Sequence, residues 1–344
     1  MGASFTSALR LPAGNVKPTS MPTDATPAFK GGKRAAMKLI AATAPKLANL
    51  QERLFAAGRS GDNRRILLVL QGMDTSGKDG TVSHVTSLVS PQGLAITSFR
   101  APTLEERAHD FLWRVRRALP GPGIIGVFDR SHYEDVLVVR VHELAPRSTW
   151  YSRYESINNL EADLTEDGVT IIKCFLHVSP EVQRERLLAR LDDPTKYWKY
   201  NPADVDERGF WGEYAAAYDD ALTKCSTDAA PWFVIPSDHK WYRNLAVTQL
   251  LLEHLEALDL GWPKPDFDPE SEQFRLRAPH PHPDPVDRTG RHKSAGKKSG
   301  KALKPQPVDK FASPGRAEAS VPPGTNSRPS AALAAKKRRS STPI

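Results

Sequence analysis

The chain has 344 residues, 26% of them charged, 39% hydrophobic, and a formal net charge of +8. Two cysteines, Cys174 and Cys225, exclude a disulfide framework and show no metal spacing, and no run approaches the roughly eighteen apolar residues of a membrane span. Fourteen Lys/Arg against four Asp/Glu lie in residues 279–344, so the positive excess belongs to that end and the rest is close to neutral.

Residues 1–30 mix Pro, Ser, Thr, Gly and Ala without a clear period and are expected to be disordered. Residues 279–344, rich in Pro, Lys, Arg, Ser and Ala, cannot bury enough apolar surface to offset their ordering entropy, and the same is expected of them. The folded body is therefore placed at 31–278. It begins with a helix over about Met37–Ala57, carrying Leu39, Ile40, Leu47, Leu50 and Leu54. An apolar run of strand length, Ile66–Leu70, follows and meets the glycine loop Gly72–Lys78. A helical pattern through Val82, Val85, Leu88 and Val89 comes next, which is the setting of a phosphate-binding P-loop. Gly72, Thr75, Ser76, Gly77, Lys78, Asp79 and Gly80 are the candidate phosphate-binding residues. The loop amides form an anion nest at a helix N-terminus, and Lys78 adds a full charge. Asp79 stands where a Ser or Thr usually ligates magnesium, so carboxylates are expected to hold Mg²⁺, with Asp74 the nearest.

Gly93–Phe99 reads as a second strand and Leu104–Leu119 as an amphipathic helix. Ile124–Phe128 reads as a buried strand of a parallel sheet. Asp129 lies at the carboxyl end of that strand, where open α/β sheets bind ligands. It is the expected second holder of Mg²⁺. Arg130 carries a planar fork of donors suited to a phosphoryl group, and Glu134 either shares the metal or fixes Arg130. Helices about Tyr133–Leu144 and Tyr151–Glu166, strand Thr170–Val178 and helix Pro180–Leu191 follow. Arg186 and Arg190, four residues apart, open a positively charged stretch, 180–203, that suits a lid closing over phosphates. Helix Asp206–Lys224, strand Trp232–Ile235 and helix Trp241–Leu258 finish the body. Strands alternating with helices point to α/β architecture, a parallel sheet with helices on both faces.

Three stretches resemble family-2 polyphosphate kinases: Gly-Met-Asp-Thr-Ser-Gly-Lys-Asp-Gly-Thr (72–81), Phe-Asp-Arg-Ser-His-Tyr-Glu-Asp-Val (128–136) and Arg-Glu-Arg-Leu-Leu-Ala-Arg-Leu-Asp-Asp-Pro (184–194). So does 230–244, and the resemblance covers about residues 35–260. It implies a P-loop kinase-like three-layer fold with a helical lid, and transfer of a phosphoryl group between inorganic polyphosphate and a nucleotide with Mg²⁺. It also implies that Asp74, Lys78, Asp129, Arg130, Glu134 and Arg190 carry the site. The form of 131–136 is more like members that accept AMP than those that accept ADP. A cytoplasmic homo-oligomer without membrane contact is expected, its basic end meeting a polyanion such as polyphosphate or RNA. Two rival readings stay open at this point. One is a nucleotide kinase using ATP on the same loop; the other is a nucleic-acid-binding protein acting through Lys336–Arg339.

Overall fold

The computed structural model describes residues 4–12 and 16–277. The basic segment 279–344 lies outside the described residues.

Five parallel strands, β1 (Arg65–Gln71), β2 (Leu94–Ser98), β3 (Ile125–Asp129), β4 (Val169–His177) and β5 (Trp232–Pro236), form one sheet in the order β2-β3-β1-β4-β5. Every residue of β1 is buried, as expected of a strand covered on both faces. Successive side chains alternate between faces. Ile66, Leu68 and Leu70 join the core made with α2 (Lys33–Arg59), α3 (Lys78–Thr86) and α11 (Lys240–Ala257). Leu67 and Val69 face the other way, into a core with α5 (Trp113–Ala118) and α7 (Arg147–Glu166). A further cluster joins Phe175, Trp232 and Val234 to α10 (Trp211–Lys224). The result is the three-layer architecture read from the alternation of elements.

Two expected helices are broken. Residues 104–119 divide into α4 (Leu104–Arg107), started by a capping box between Thr103 and Glu106, and α5. Asp110 causes the restart: its carboxylate accepts from the Leu112 amide and its carbonyl from Trp113. Residues 133–144 form a 3₁₀ turn, His132–Asp135, and the short α6 (Val138–Val141). The lid region comprises α8 (Pro180–Leu191), a 3₁₀ stretch over Pro194–Lys199, and α9 (Ala203–Glu207). The helix expected from Asp206 begins at Trp211, after a 3₁₀ turn at Arg208–Phe210.

The expectation of a disordered 1–30 is corrected for its described residues, 4–12 and 16–30. Phe5–Leu9 is a helix, α1, whose Phe5 and Thr6 amides donate to the Glu253 carboxylate on α11 at 2.9 and 2.8 Å. Phe5, Leu9 and Leu11 are buried. Arg10 bridges antiparallel to Phe233, covering the edge strand β5. Further on, Thr19 bonds Asp219 and Thr23 bonds Asp238. The segment lacks a periodic apolar face of its own; burial against α11 and β5 offsets its ordering entropy.

Candidate active site

The connections leaving β1 and β4 run to opposite sides of the sheet, and ligands of open α/β sheets bind at the carboxyl edge where such a reversal occurs. At that edge Leu70 pairs in register with Asp129, and the Arg130 amide donates to the Leu70 carbonyl at 3.1 Å. The end of β3 is thereby fixed beside the glycine loop.

Three loop residues have positive φ: Gly72 at 151°, Thr75 at 58° and Gly77 at 108°. Gly72 also needs its missing side chain, because a Cβ there would sit 2.5 Å from the Leu176 carbonyl. Behind the loop, Arg186 of α8 donates to the Thr75 and Ser76 carbonyls at 2.9 and 3.0 Å, and to the Ser237 and Asp238 carbonyls. Arg243 of α11 reaches the Ser76 carbonyl at 3.3 Å, packed so closely on Gly77 that any Cβ would collide with its guanidinium. A carbonyl turned toward these arginines turns the following Gly77 amide the opposite way, because the peptide is planar and trans. The loop's donors are in this way aimed at an anion.

Lys78 is buried and donates to the Gly72 and Met73 carbonyls at 2.9 and 3.2 Å. Burial, and next the Arg130 charge, push its ammonium below the usual lysine range; Asp74, Asp129 and Glu134 oppose this. Arg130, itself at φ 63°, donates to Asp74 at 2.7 Å and to Glu134 at 3.4 Å. Burial disfavours its charge, but Glu134 and Asp74 outweigh that and hold the guanidinium protonated. Gln71, in its better amide orientation, donates to Glu134 at 3.1 Å and accepts from Ser131, joining the two strand ends.

Asp129 accepts from Ser98 at 3.4 Å through one oxygen, while the other is buried without a partner. Burial raises this carboxyl above the ordinary value; Lys78 opposes the rise and the nearby Asp79 carboxylate adds to it. A carboxylate with a bare buried oxygen beside a second carboxylate is a donor set of hard oxygens that fits Mg²⁺. The wider set expected from sequence does not gather. Among the described residues no three Asp, Glu, His or Cys side chains converge to hold an ion. Asp74 and Glu134 face Arg130 instead. A two-carboxylate site is still consistent with magnesium, which takes few protein ligands and fills its shell with water and phosphate oxygens.

The two lid arginines are placed differently from expectation. Arg186 is committed to four carbonyls at the back of the loop and is a clamp rather than a free phosphate ligand. Arg190 donates to the Lys199 carbonyl at 2.9 Å and to Asp204 at 3.2 Å. Asp204 was not singled out from sequence. Burial raises its carboxyl, as does the Asp74 charge, while Arg190, Arg130 and Lys78 oppose; the lid end therefore lies within electrostatic reach of the loop. Arg243 was missed as well, although a charge amid Tyr242, Leu245, Ala246 and Val247 is a visible signal.

Arg130 and Glu134 line two cavities at once. The larger, about 800 Å³, has an apolar wall including Val82, Phe99 and Val138 and contains Asp79 and Asp129. The smaller lies on the loop side, against Met73, Asp74, Trp211 and Tyr214. The arrangement brings the charges of Lys78, Asp129 and Arg130 together at the carboxyl edge of the sheet, where phosphate charge would be neutralised.

The polyphosphate kinase 2 (PPK2) family model matches residues 32–261. An AMP/ADP-polyphosphate phosphotransferase of Meiothermus ruber is 46% identical over 71% of this chain and 90% of its own. An ADP-polyphosphate phosphotransferase of Rhodopseudomonas palustris is 42% identical over 71% and 86%. The crystal structure of polyphosphate kinase 2 from Arthrobacter aurescens TC1 superposes with a TM-score of 0.78 at 48% identity, covering 80% of this chain and 97% of that one.

Proposed function

This chain belongs to the polyphosphate kinase 2 family and is a polyphosphate-dependent nucleotide phosphotransferase; we propose that its acceptor is AMP, converted to ADP, and that Mg²⁺ assists. The position of Arg130 and Glu134 on the walls of both cavities supports a charge-neutralising role in the transfer, and the form of residues 131–136 supports AMP as the acceptor. The larger cleft, with its apolar wall, suits a nucleotide. The opening against the glycine loop and the lid, about 30 Å³ and walled by Asp74, Glu134 and Glu207 as well as Arg130, would take the end of a polyphosphate chain only once the lid moves away.

Phosphoryl transfer passes through a loose transition state, so positioning and charge neutralisation supply most of the catalysis. The loop amides and Lys78 bind the terminal phosphates of the donor. An AMP phosphate oxygen attacks the terminal phosphorus; the bridging P–O bond breaks, and its electron pair leaves with the shortened polyphosphate. The attacking oxygen is already anionic, so no general base is required. Arg130, kept charged by Asp74 and Glu134, neutralises the migrating group, and Arg190 adds charge from the lid when it exchanges Asp204 for phosphate. Asp129, with Asp79 beside it, would hold Mg²⁺, which when bound shields phosphate charge.

ADP as acceptor is the second reading, favoured by the Rhodopseudomonas relative, an ADP-polyphosphate phosphotransferase; the Meiothermus relative is named for both acceptors. Initial rates with polyphosphate and AMP, ADP or GMP in turn separate the two. A kcat/KM for AMP above that for ADP supports the proposal, and the reverse order assigns the chain to diphosphate acceptors. The charge of 279–344 supports a further, salt-dependent contact with polyphosphate.

A further inference from the structure

Lys173 and Glu161 form an ion pair with essentially no exposure, 0% and 1% for the two side chains. Lys173 lies on β4 opposite Val69 of β1, and Glu161 lies on α7. The Lys173 ammonium also donates to the Tyr133 hydroxyl at 3.0 Å and to the Cys225 carbonyl at 2.6 Å. The other Glu161 oxygen accepts from the Tyr133 hydroxyl at 2.9 Å and lies 3.3 Å from His132 Nε2. None of these side chains lines either substrate cavity.

Such a pair needs a reason. Two ions taken out of water lose hydration that their attraction only partly returns, and apolar replacements of similar volume are often as stable or more so. The reason is visible in what the pair holds. His132 and Tyr133 are the second and third residues after Arg130, whose φ of 63° is strained for a side-chain-bearing residue. On one side this turn is tied to the Leu70 carbonyl, and within itself Ser131 accepts from the Tyr133 amide at 3.2 Å. On the other side the ties are Tyr133 and His132 to Glu161. A strained conformation persists only where its surroundings over-determine it.

We propose that Glu161, Lys173 and Tyr133 are positioning residues: a buried ionic anchor that fixes the strained turn at Arg130 and so sets the aim of its guanidinium on the transferring phosphoryl group. The inference rests on the function proposed above, because it acts through Arg130. A displacement near 1 Å at a group that must meet the transition state costs on the order of 100-fold in rate, whereas substrate binding in the two cavities does not depend on the anchor directly.

Tyr133→Phe removes one hydroxyl and keeps the ring. Glu161→Gln combined with Lys173→Met removes both charges together and leaves no lone buried ion. Each change is made in the wild type and in Arg130→Lys, and rates are followed with polyphosphate and AMP. Tyr133→Phe is expected to lower kcat roughly 10-fold or more, with KM for polyphosphate within about twofold. In the Arg130→Lys background the same change should cost less than about twofold, since distant independent effects would simply add. An equal loss in both backgrounds, or an unchanged kcat in Tyr133→Phe, overturns the inference. Should the charge-neutral double variant fail to fold, the Tyr133→Phe cycle decides alone. A wild type inert toward polyphosphate with every nucleotide would remove the functional reading itself, an outcome distinct from additivity in an active enzyme.

Discussion

Arg130 donates to Asp74 at 2.7 Å, and this contact ties the turn after β3 to the phosphate loop after β1. Two strands adjacent in the sheet but distant in sequence thus share one guanidinium. Its second partner, Glu134 at 3.4 Å, lies one turn further along the chain. Both carboxylates keep the arginine charged and aimed, which is what a loose phosphoryl-transfer transition state requires.

Arg130→Lys is therefore expected to lower kcat by about 10²–10³, the cost of losing one preorganised donor from a charge-stabilising site. A lysine keeps the charge but presents no planar fork to bridge Asp74 and Glu134. Steady-state rates with polyphosphate and AMP check this, and a kcat near the wild-type value would place Arg130 outside the chemistry.

Gly77→Ala should weaken polyphosphate binding and lower stability together. The position has φ 108°, and its Cβ would meet the Arg243 guanidinium. The strain alone is about 1–2 kcal/mol, and the displaced arginine would give up its share of the Ser76 carbonyl, leaving Arg186 alone to hold it. Calorimetric titration with polyphosphate and a melting curve measure the two effects. Wild-type affinity in the variant would contradict the proposed role of the clamp.

Asp129 gives a stability signature that depends on pH. Its folded-state carboxyl titrates above the ordinary 3.8, first because it is buried and also because Asp79 is near. The folded form thus holds its proton more tightly than the unfolded form, so stability is lost as pH rises from the ordinary value through the raised one. In chelator, the melting temperature of the wild type should fall relative to Asp129→Asn across that window. Above it the asparagine variant should be the more stable, and Mg²⁺ should narrow the gap only for wild type. Parallel melting curves from acid to neutral pH would reject this assignment.

The N-terminal segment is testable through Leu9, which is 2% exposed. Leu9→Ala should cost about 2–5 kcal/mol, the usual range for a leucine deleted from a core. In a body of this size that corresponds to a melting temperature lower by roughly 5–15 °C. An unchanged melting curve would mean that α1 contributes nothing to the folded body.

Much of this was legible in the chain itself. The run Ile66–Leu70 followed by Gly72 and Lys78 announces a strand, a loop and a helix, because each local preference agrees with the next. Asp129 and Arg130 stand directly after the apolar run of β3, and the register of parallel strands then carries them to the loop. What escaped was tertiary. Nothing in the spacing of Phe5 and Leu9 tells that Glu253, far along the chain, receives the Phe5 and Thr6 amides. Arg186 and Arg190 look alike on one helix face, yet Arg186 turns to backbone carbonyls and Arg190 to Asp204. The break at Asp110 likewise comes from a side chain that offers the backbone an alternative to the helix.

The central claim is tested most directly by following radiolabelled terminal phosphate from polyphosphate in a mixture with AMP and Mg²⁺ but no ATP. The account predicts labelled ADP, formed by the wild type and reduced by orders of magnitude in a folded Lys78→Ala variant. Label that stays in polyphosphate while ATP supports the same conversion of AMP, or a Lys78→Ala variant that turns over normally, would contradict it.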